Sequence, residues 1–102
     1  MDIRVLKYFL AIAQEENVTK AAELLHTTQP NISRQIAELE EELGKQLFVK
    51  NGRRFVLTEE GVFLRKRAKE IVELTERTEA DIAAYDRLAS GVVHIGAAET
   101  YA

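Results

Sequence analysis

Between Ala21 and Leu43 the chain reads AAELLHTTQPNISRQIAELEEEL, two helix-forming runs separated by too few residues for anything but a tight turn. Ile32, Ile36, Leu39 and Leu43 recur at steps of four, three and four, which predicts one buried stripe along the second helix. The Thr28 hydroxyl can accept from a free amide of the first turn, and Pro30 removes an amide with no helical partner, so this helix is predicted to start near Gln29. Gly44 can close it in a left-handed position. Upstream, Thr19 is predicted to cap a helix running through Leu25, leaving His26 and Thr27 as the connection. So short a link sets two helices at a steep angle and leaves the second with its N-terminal end free.

Any small helical hairpin shares this spacing. The polar residues at the tip of the second helix set it apart: Gln and Asn can make paired hydrogen bonds to adenine, Arg can do so to guanine, and Ser or Thr can bond base or phosphate. Gln29, Asn31, Ser33 and Arg34 fall within about one and a half turns, a cluster that fits a major groove.

At 102 residues the chain suits one compact domain with an extension. It has no cysteine, which excludes disulfides, thiolate metal sites and a cysteine nucleophile. No apolar run approaches the roughly 20 residues that span a bilayer, and the N-terminus lacks the apolar core of a signal peptide. A cytoplasmic protein with no membrane partner is expected. The formal net charge of -3 runs against the basic character common in nucleic-acid binders, but the charge is segregated. Lys50, Arg53 and Arg54 crowd together, while Glu38, Glu40, Glu41 and Glu42 lie at the far end of the second helix from its polar tip.

Ahead of the hairpin of helices, Asp2 can cap a first helix in which Leu6, Phe9, Leu10 and Ala13 follow helical spacing. With Val18, Ala21, Ala22, Leu24 and Leu25 it is predicted to form a three-helix core. After Gly44 the period changes. Leu47 to Lys50 and Arg53 to Leu57 flank Asn51-Gly52, the pair favoured in a type I′ hairpin, and Phe48, Phe55 and Leu57 can anchor its base. Three cations at such a tip can be simply solvated; beside a reading helix they make a wing for phosphates or a minor groove.

Thr58 is predicted to cap a further helix, with Glu59 and Glu60 in its first turn, lasting to about Ala89 and about 45 Å long. Leu64, Ala68, Ile71, Thr75, Thr78, Ile82, Tyr85 and Ala89 alternate steps of four and three, a coiled-coil seam. The helix could lie back on its own domain, but a body of residues 1–58 looks too small to cover it, so a second copy is the expected partner. Ser90-Gly91 breaks the helix, and Val92 to Gly96 reads as one strand. The fold expected is mainly α: a winged helix-turn-helix at 1–58, with three helices and a β-hairpin wing, a dimerising linker helix at 59–89, and a hinge with the first strand of a further domain at 90–102.

The run Phe9 to Ala13, then Thr19, Ala21, Ala22, Leu25, Gln29, Pro30, Ser33, Arg34, Gln35, Ile36, Leu39, Glu40, Leu43, Gly44, Leu47, Phe48, Arg53, Leu57, Thr58 and Gly61 resembles the N-terminal region of LysR-type transcriptional regulators. The resemblance implies sequence-specific binding of double-stranded DNA by a dimer that reads an interrupted inverted repeat. It assigns base contacts to Gln29, Pro30, Ser33 and Arg34, and backbone or minor-groove contacts to Arg53 and its neighbours. Thr19, Thr28, Lys50 and Arg54 are the other candidates for backbone or minor-groove contact, although Thr27 and Thr28 stand where the family usually shows an apolar residue and Ser. Asn31 stands where a small apolar residue is common in the family and could add an adenine contact. The resemblance further implies homodimers through the linker helix, tetramers at full length, a bacterial nucleoid location and an effector domain opened by a strand such as Val93 to Gly96. No cofactor is expected in this chain; a small-molecule effector is expected for the full-length protein.

Two other classes compete. A helical dimerisation or protein-interaction module explains the seam but leaves the polar tip and cationic wing without a role. An enzyme is the weakest reading: His26 and His94 are far apart in sequence, Ser33 has no evident base, and there is no glycine-rich phosphate loop or paired metal-ligand spacing, so no catalytic or metal residue is assigned.

Overall fold

The computed structural model describes the backbone of residues 1–91 and the side chains through Tyr85. The elements run α1 (Ile3–Glu15), α2 (Val18–Leu24), α3 (Gln29–Leu43), β1 (Phe48–Asn51), β2 (Arg54–Leu57) and α4 (Glu59–Gly91). The strand expected after Gly91, with His94, lies outside the described residues. Two compact units are present, Met1–Val72 and Glu73–Ala102.

Local chemistry starts and stops each helix. Asp2 Oδ1 accepts from the Val5 amide at 2.9 Å and opens α1, which closes on Glu16 in the left-handed region at φ 55°. The cap of α2 is Asn17, whose Oδ1 accepts from Lys20 N at 2.8 Å; Thr19 sits inside the first turn instead of preceding it. An Asx side chain one residue before the helix outcompeted the threonine because both can supply the oxygen and only Asn17 has extended backbone there. Thr28 caps α3 as expected, accepting from Asn31 N at 3.2 Å, and Gly44 ends it at φ 69°.

Phe9, Ile12, Leu6, Ile32, Leu39 and Leu47 form the fully buried centre, with α1 contributing the most. Ile32, Ile36 and Leu39 bear out the stripe on α3, but Leu43 is 39% exposed and Leu24 55% exposed, while Leu25 packs against the core in place of Leu24. Phe48 packs between Phe9 and Phe55 in a tilted and an edge-on contact, with ring centroids 5.2 and 5.9 Å away, and so bolts the hairpin to the core.

The hairpin register differs from the expected one. Asn51 pairs with Arg54, so the two turn residues are Gly52 and Arg53, and of these only Gly52 has positive φ, at 67°. That is the glycine-first, type II′ arrangement, not type I′ with Asn51-Gly52 at its centre.

The first unit also reaches past Thr58. Ala68 is completely buried and Val72 nearly so, both within the core, and Leu64 packs against it. Leu64 and Ala68 are therefore covered by their own unit, which corrects their assignment to a seam awaiting a partner helix. The early turns of α4 are covered at home because Gly61 allows the helix to lie directly on Leu47. Val62, Phe63 and Ile71 remain exposed in this unit. In the second unit Leu74 and Ile82 are exposed, Thr75 and Tyr85 are half-buried and Thr78 is exposed, its hydroxyl donating to the Leu74 carbonyl at 2.7 Å. Ala89 lies beyond the described side chains.

Candidate nucleic-acid interface

The connection between α2 and α3 is held by backbone bonds, His26 N to Glu23 O at 3.2 Å and Thr27 N to Ala22 O at 2.9 Å, with His26 in the left-handed region at φ 56°. This turn fixes where the first turns of α3 emerge. Gln29, Pro30 and Arg34 are exposed there, while Asn31 and Ser33 are half-buried. Thr28 is exposed, and its hydroxyl oxygen accepts from Asn31 N in the cap while keeping its O–H donor.

The polar side chains at the tip are bonded to each other. Gln29 Nε2 donates to Ser33 Oγ at 2.8 Å, and Arg34 Nη2 donates to Asn31 Oδ1 at 2.8 Å. Arg34 Nη1 also lies 3.4 Å from Glu38 Oε2, an exposed pair of small energetic consequence. The tip is thus an ordered set of donors and acceptors, more fixed than a row of free side chains.

The wing stands beside it on two supports. Glu40 of α3 accepts from the amides of Leu47 and Phe48 through one carboxylate oxygen, at 2.7 and 3.3 Å. Glu16, at the end of α1, accepts from Phe55 N at 3.0 Å with its carbonyl and pairs with Arg54 Nη2 at 2.8 Å with its carboxylate. Arg54 is therefore not a simply solvated cation, since it is paired with Glu16 at the left-handed cap of α1. Lys50 Nζ lies 6.0 Å from the Phe55 ring centroid, and Arg53, at the turn, makes no ion pair among the described residues.

A cleft of about 600 Å³ runs between the start of α2, the tip of α3 and the wing, lined by Asn17, Thr19, Lys20, Gln29, Lys50, Gly52 and Arg53 among others. It brings together Thr19, Gln29, Lys50 and Arg53, residues far apart in sequence, and adds Lys20, a cation in the first turn of α2 that was not singled out. Its position one residue from Thr19 was the available signal. The cleft is polar, and its three cations, Lys20, Lys50 and Arg53, outnumber the one carboxylate in its lining, Glu23.

Among the described residues no helix is long and apolar enough to cross a membrane. A family profile described as "Bacterial regulatory helix-turn-helix protein, lysR family" matches residues 3–62. The chain is 43% identical over 97 residues to the HTH-type transcriptional regulator BsdA of Bacillus subtilis (strain 168), an alignment covering 94% of this chain and 33% of that regulator. It is 40% identical over 96 residues to CysL of the same organism, covering 94% of the chain and 32% of the relative. The chain thus spans about a third of the length of these curated relatives. Among solved structures, the DNA-binding domain of CbnR in complex with DNA superposes with a TM-score of 0.78 at 39% identity, covering 82% of this chain and 97% of that one. The BenM DNA-binding domain on the catB site 1 DNA does so at 0.74 and 40%, covering 91% and 100%. With the helix-turn-helix, the wing and the profile coinciding over the same residues, the chain belongs to the lysR family of bacterial regulatory helix-turn-helix proteins.

Proposed function

We propose that this chain binds duplex DNA sequence-specifically, placing the first turns of α3 in the major groove with the wing on the adjacent backbone or minor groove, as the DNA-binding part of a cytoplasmic bacterial transcriptional regulator. The observation that carries the reading is the juxtaposition of the ordered polar tip of α3 with the cleft lined by Lys20, Lys50 and Arg53. Base reading is assigned to Gln29, Pro30, Ser33 and Arg34. Backbone contacts are assigned to Thr19, Lys20, Lys50 and Arg53, with Arg54 contributing through its place beside Glu16 and Thr28 through its place at the helix start. That CbnR and BenM DNA-binding domains of the same fold are solved on DNA supports the reading.

Selection of duplexes from a random pool, followed by anisotropy titrations at several salt concentrations, tests it. An enriched interrupted inverted repeat with steeply salt-dependent affinity is expected; no enrichment and no salt dependence in a folded chain would overturn it. Arg53→Ala should weaken all duplexes alike and reduce the log-log salt slope by roughly 0.9, the value of one phosphate contact.

Dimerisation through α4 belongs to the same proposal, since two heads are needed for an inverted repeat. Leu74 and Ile82 are exposed apolar residues on the second unit and are the candidates for burial against a second copy. Ile82→Glu is expected to lower the sedimentation mass from dimer to monomer; an unchanged mass would remove Ile82 from the interface.

A further inference from the structure

Every polar atom of the Asn31 side chain is already engaged inside the protein. Its Nδ2 donates to Thr27 Oγ1 at 2.9 Å, and its Oδ1 accepts from Arg34 Nη2 at 2.8 Å and from Gln35 Nε2 at 3.3 Å. Paired recognition of adenine would require that same oxygen to accept and that same nitrogen to donate, and the oxygen's two lone pairs are both occupied. Asn31 is also half-buried, unlike Gln29 and Arg34 on either side of it. The adenine contact that its residue type suggests is therefore not what its surroundings favour.

We propose that Asn31 is a positioning residue for base recognition: it orders the Arg34 guanidinium in the free protein, so that the discrimination carried by Arg34 depends on a side chain that touches no base. The proposal rests on the reading of α3 as the base-reading helix. An exposed arginine loses much rotamer freedom when it docks on a base, and ordering it beforehand removes part of that cost. Arg34 has no other firm hold, since its side chain is 61% exposed and its contact with Glu38 is 3.4 Å long. Asn31 can provide one because Thr27, in the turn that precedes the helix, restrains the amide from the opposite end. A guanidinium carries five N–H groups, so bonds to Asn31 and Glu38 still leave a pair for the O6 and N7 of guanine.

The test is a set of anisotropy titrations of the wild-type chain, Asn31→Ala, Arg34→Ala and the double variant, on the selected duplex and on duplexes substituted at one base pair at a time. Arg34→Ala is expected to flatten preference at one base pair by about tenfold. Asn31→Ala should flatten preference at that same base pair by about three- to tenfold, and the double variant should match Arg34→Ala alone. The salt slope of Asn31→Ala and its thermal midpoint should stay at the wild-type values, which separates positioning from a structural role that weakens all sequences together. Loss of preference at a base pair that Arg34→Ala leaves untouched would make Asn31 a direct reader and overturn the proposal. Unchanged preference in Asn31→Ala, or additive effects in the double variant, would overturn it as well. Failure of the wild-type chain to select any sequence would overturn the base-reading assignment itself, and the proposal with it.

Discussion

Gly61→Ala is expected to destabilise the Met1–Val72 unit by about 3 kcal/mol, the upper end of the usual overpacking cost, where the same change in an exposed helix would stabilise by up to about 1 kcal/mol. The inversion of sign comes from what lies over Gly61. A Cβ built there collides with the Leu47 carbonyl oxygen and sits 2.8 Å from Leu57 Cδ2. A leucine methyl can move aside, but the Leu47 carbonyl is fixed, because it accepts from Thr58 N at 3.0 Å and belongs to a residue that is itself 1% exposed. Relief would have to come from lifting α4 away. That would strain the Thr58 cap, whose Oγ1 accepts from Gly61 N at 3.0 Å and donates to the Gln46 carbonyl at 2.7 Å, and would loosen Ala68 from the core. For a unit of this size the loss corresponds to a fall in thermal midpoint of roughly 10–20 °C. Urea unfolding followed by circular dichroism should show a lower midpoint with an unchanged slope. A variant as stable as wild type would mean that α4 does not pack on Leu47 in solution.

That contact marks the boundary of what could be read from the sequence. The caps at Asp2 and Thr28, the glycine stop at Gly44, the stripe of Ile32, Ile36 and Leu39 and the existence of a hairpin were legible because each is decided by residues within a turn or two of one another. The register of the hairpin was not. Asn-Gly favours one turn and the glycine-first arrangement another, and residues within the turn do not tell them apart; the observed register is the one in which Phe48 packs on Phe9 of α1 and the Phe55 amide donates to the Glu16 carbonyl. Periodicity identified an apolar face on α4 but carried no information on what covers it, so Ala68 and Leu64 were assigned to a partner when their own core takes them. In the candidate site, the sequence supplied the polar tip and the cations of the wing. It missed the bonds that hold them, Glu16 on Arg54 and Asn31 on Arg34, since a carboxylate or amide looks the same in sequence whether it is solvated or engaged.

Glu40 is the sharpest instance of that blindness, and removing its carboxylate should also have one of the largest effects. It falls in a run of four acidic residues within five positions, which reads as a solvated face. Its neighbours Glu38, Glu41 and Glu42 are indeed exposed, but Glu40 is half-buried and its Oε2 accepts from the amides of Leu47 and Phe48. Those two residues are 1% and 6% exposed, so their amides have little access to water once the carboxylate is gone. Leaving a donor of this kind unpaired costs about 1–3 kcal/mol, and the better of the two bonds is charge-assisted at 2.7 Å. Glu40→Ala is therefore expected to lose about 3 kcal/mol in urea unfolding, whereas Glu40→Gln, which retains a carbonyl acceptor at the same reach, should lose about 1 kcal/mol. The same bonds join α3 to the first strand of the wing, so at temperatures where Glu40→Ala remains folded the wing should sit less firmly beside the reading helix. DNA affinity should then fall for all sequences alike, with base preference unchanged, because Arg34 and its support at Asn31 lie at the other end of α3. A Glu40→Ala chain with wild-type stability would show that water replaces the carboxylate at those amides, and a change in base preference would show that the wing contributes to reading as well as to holding.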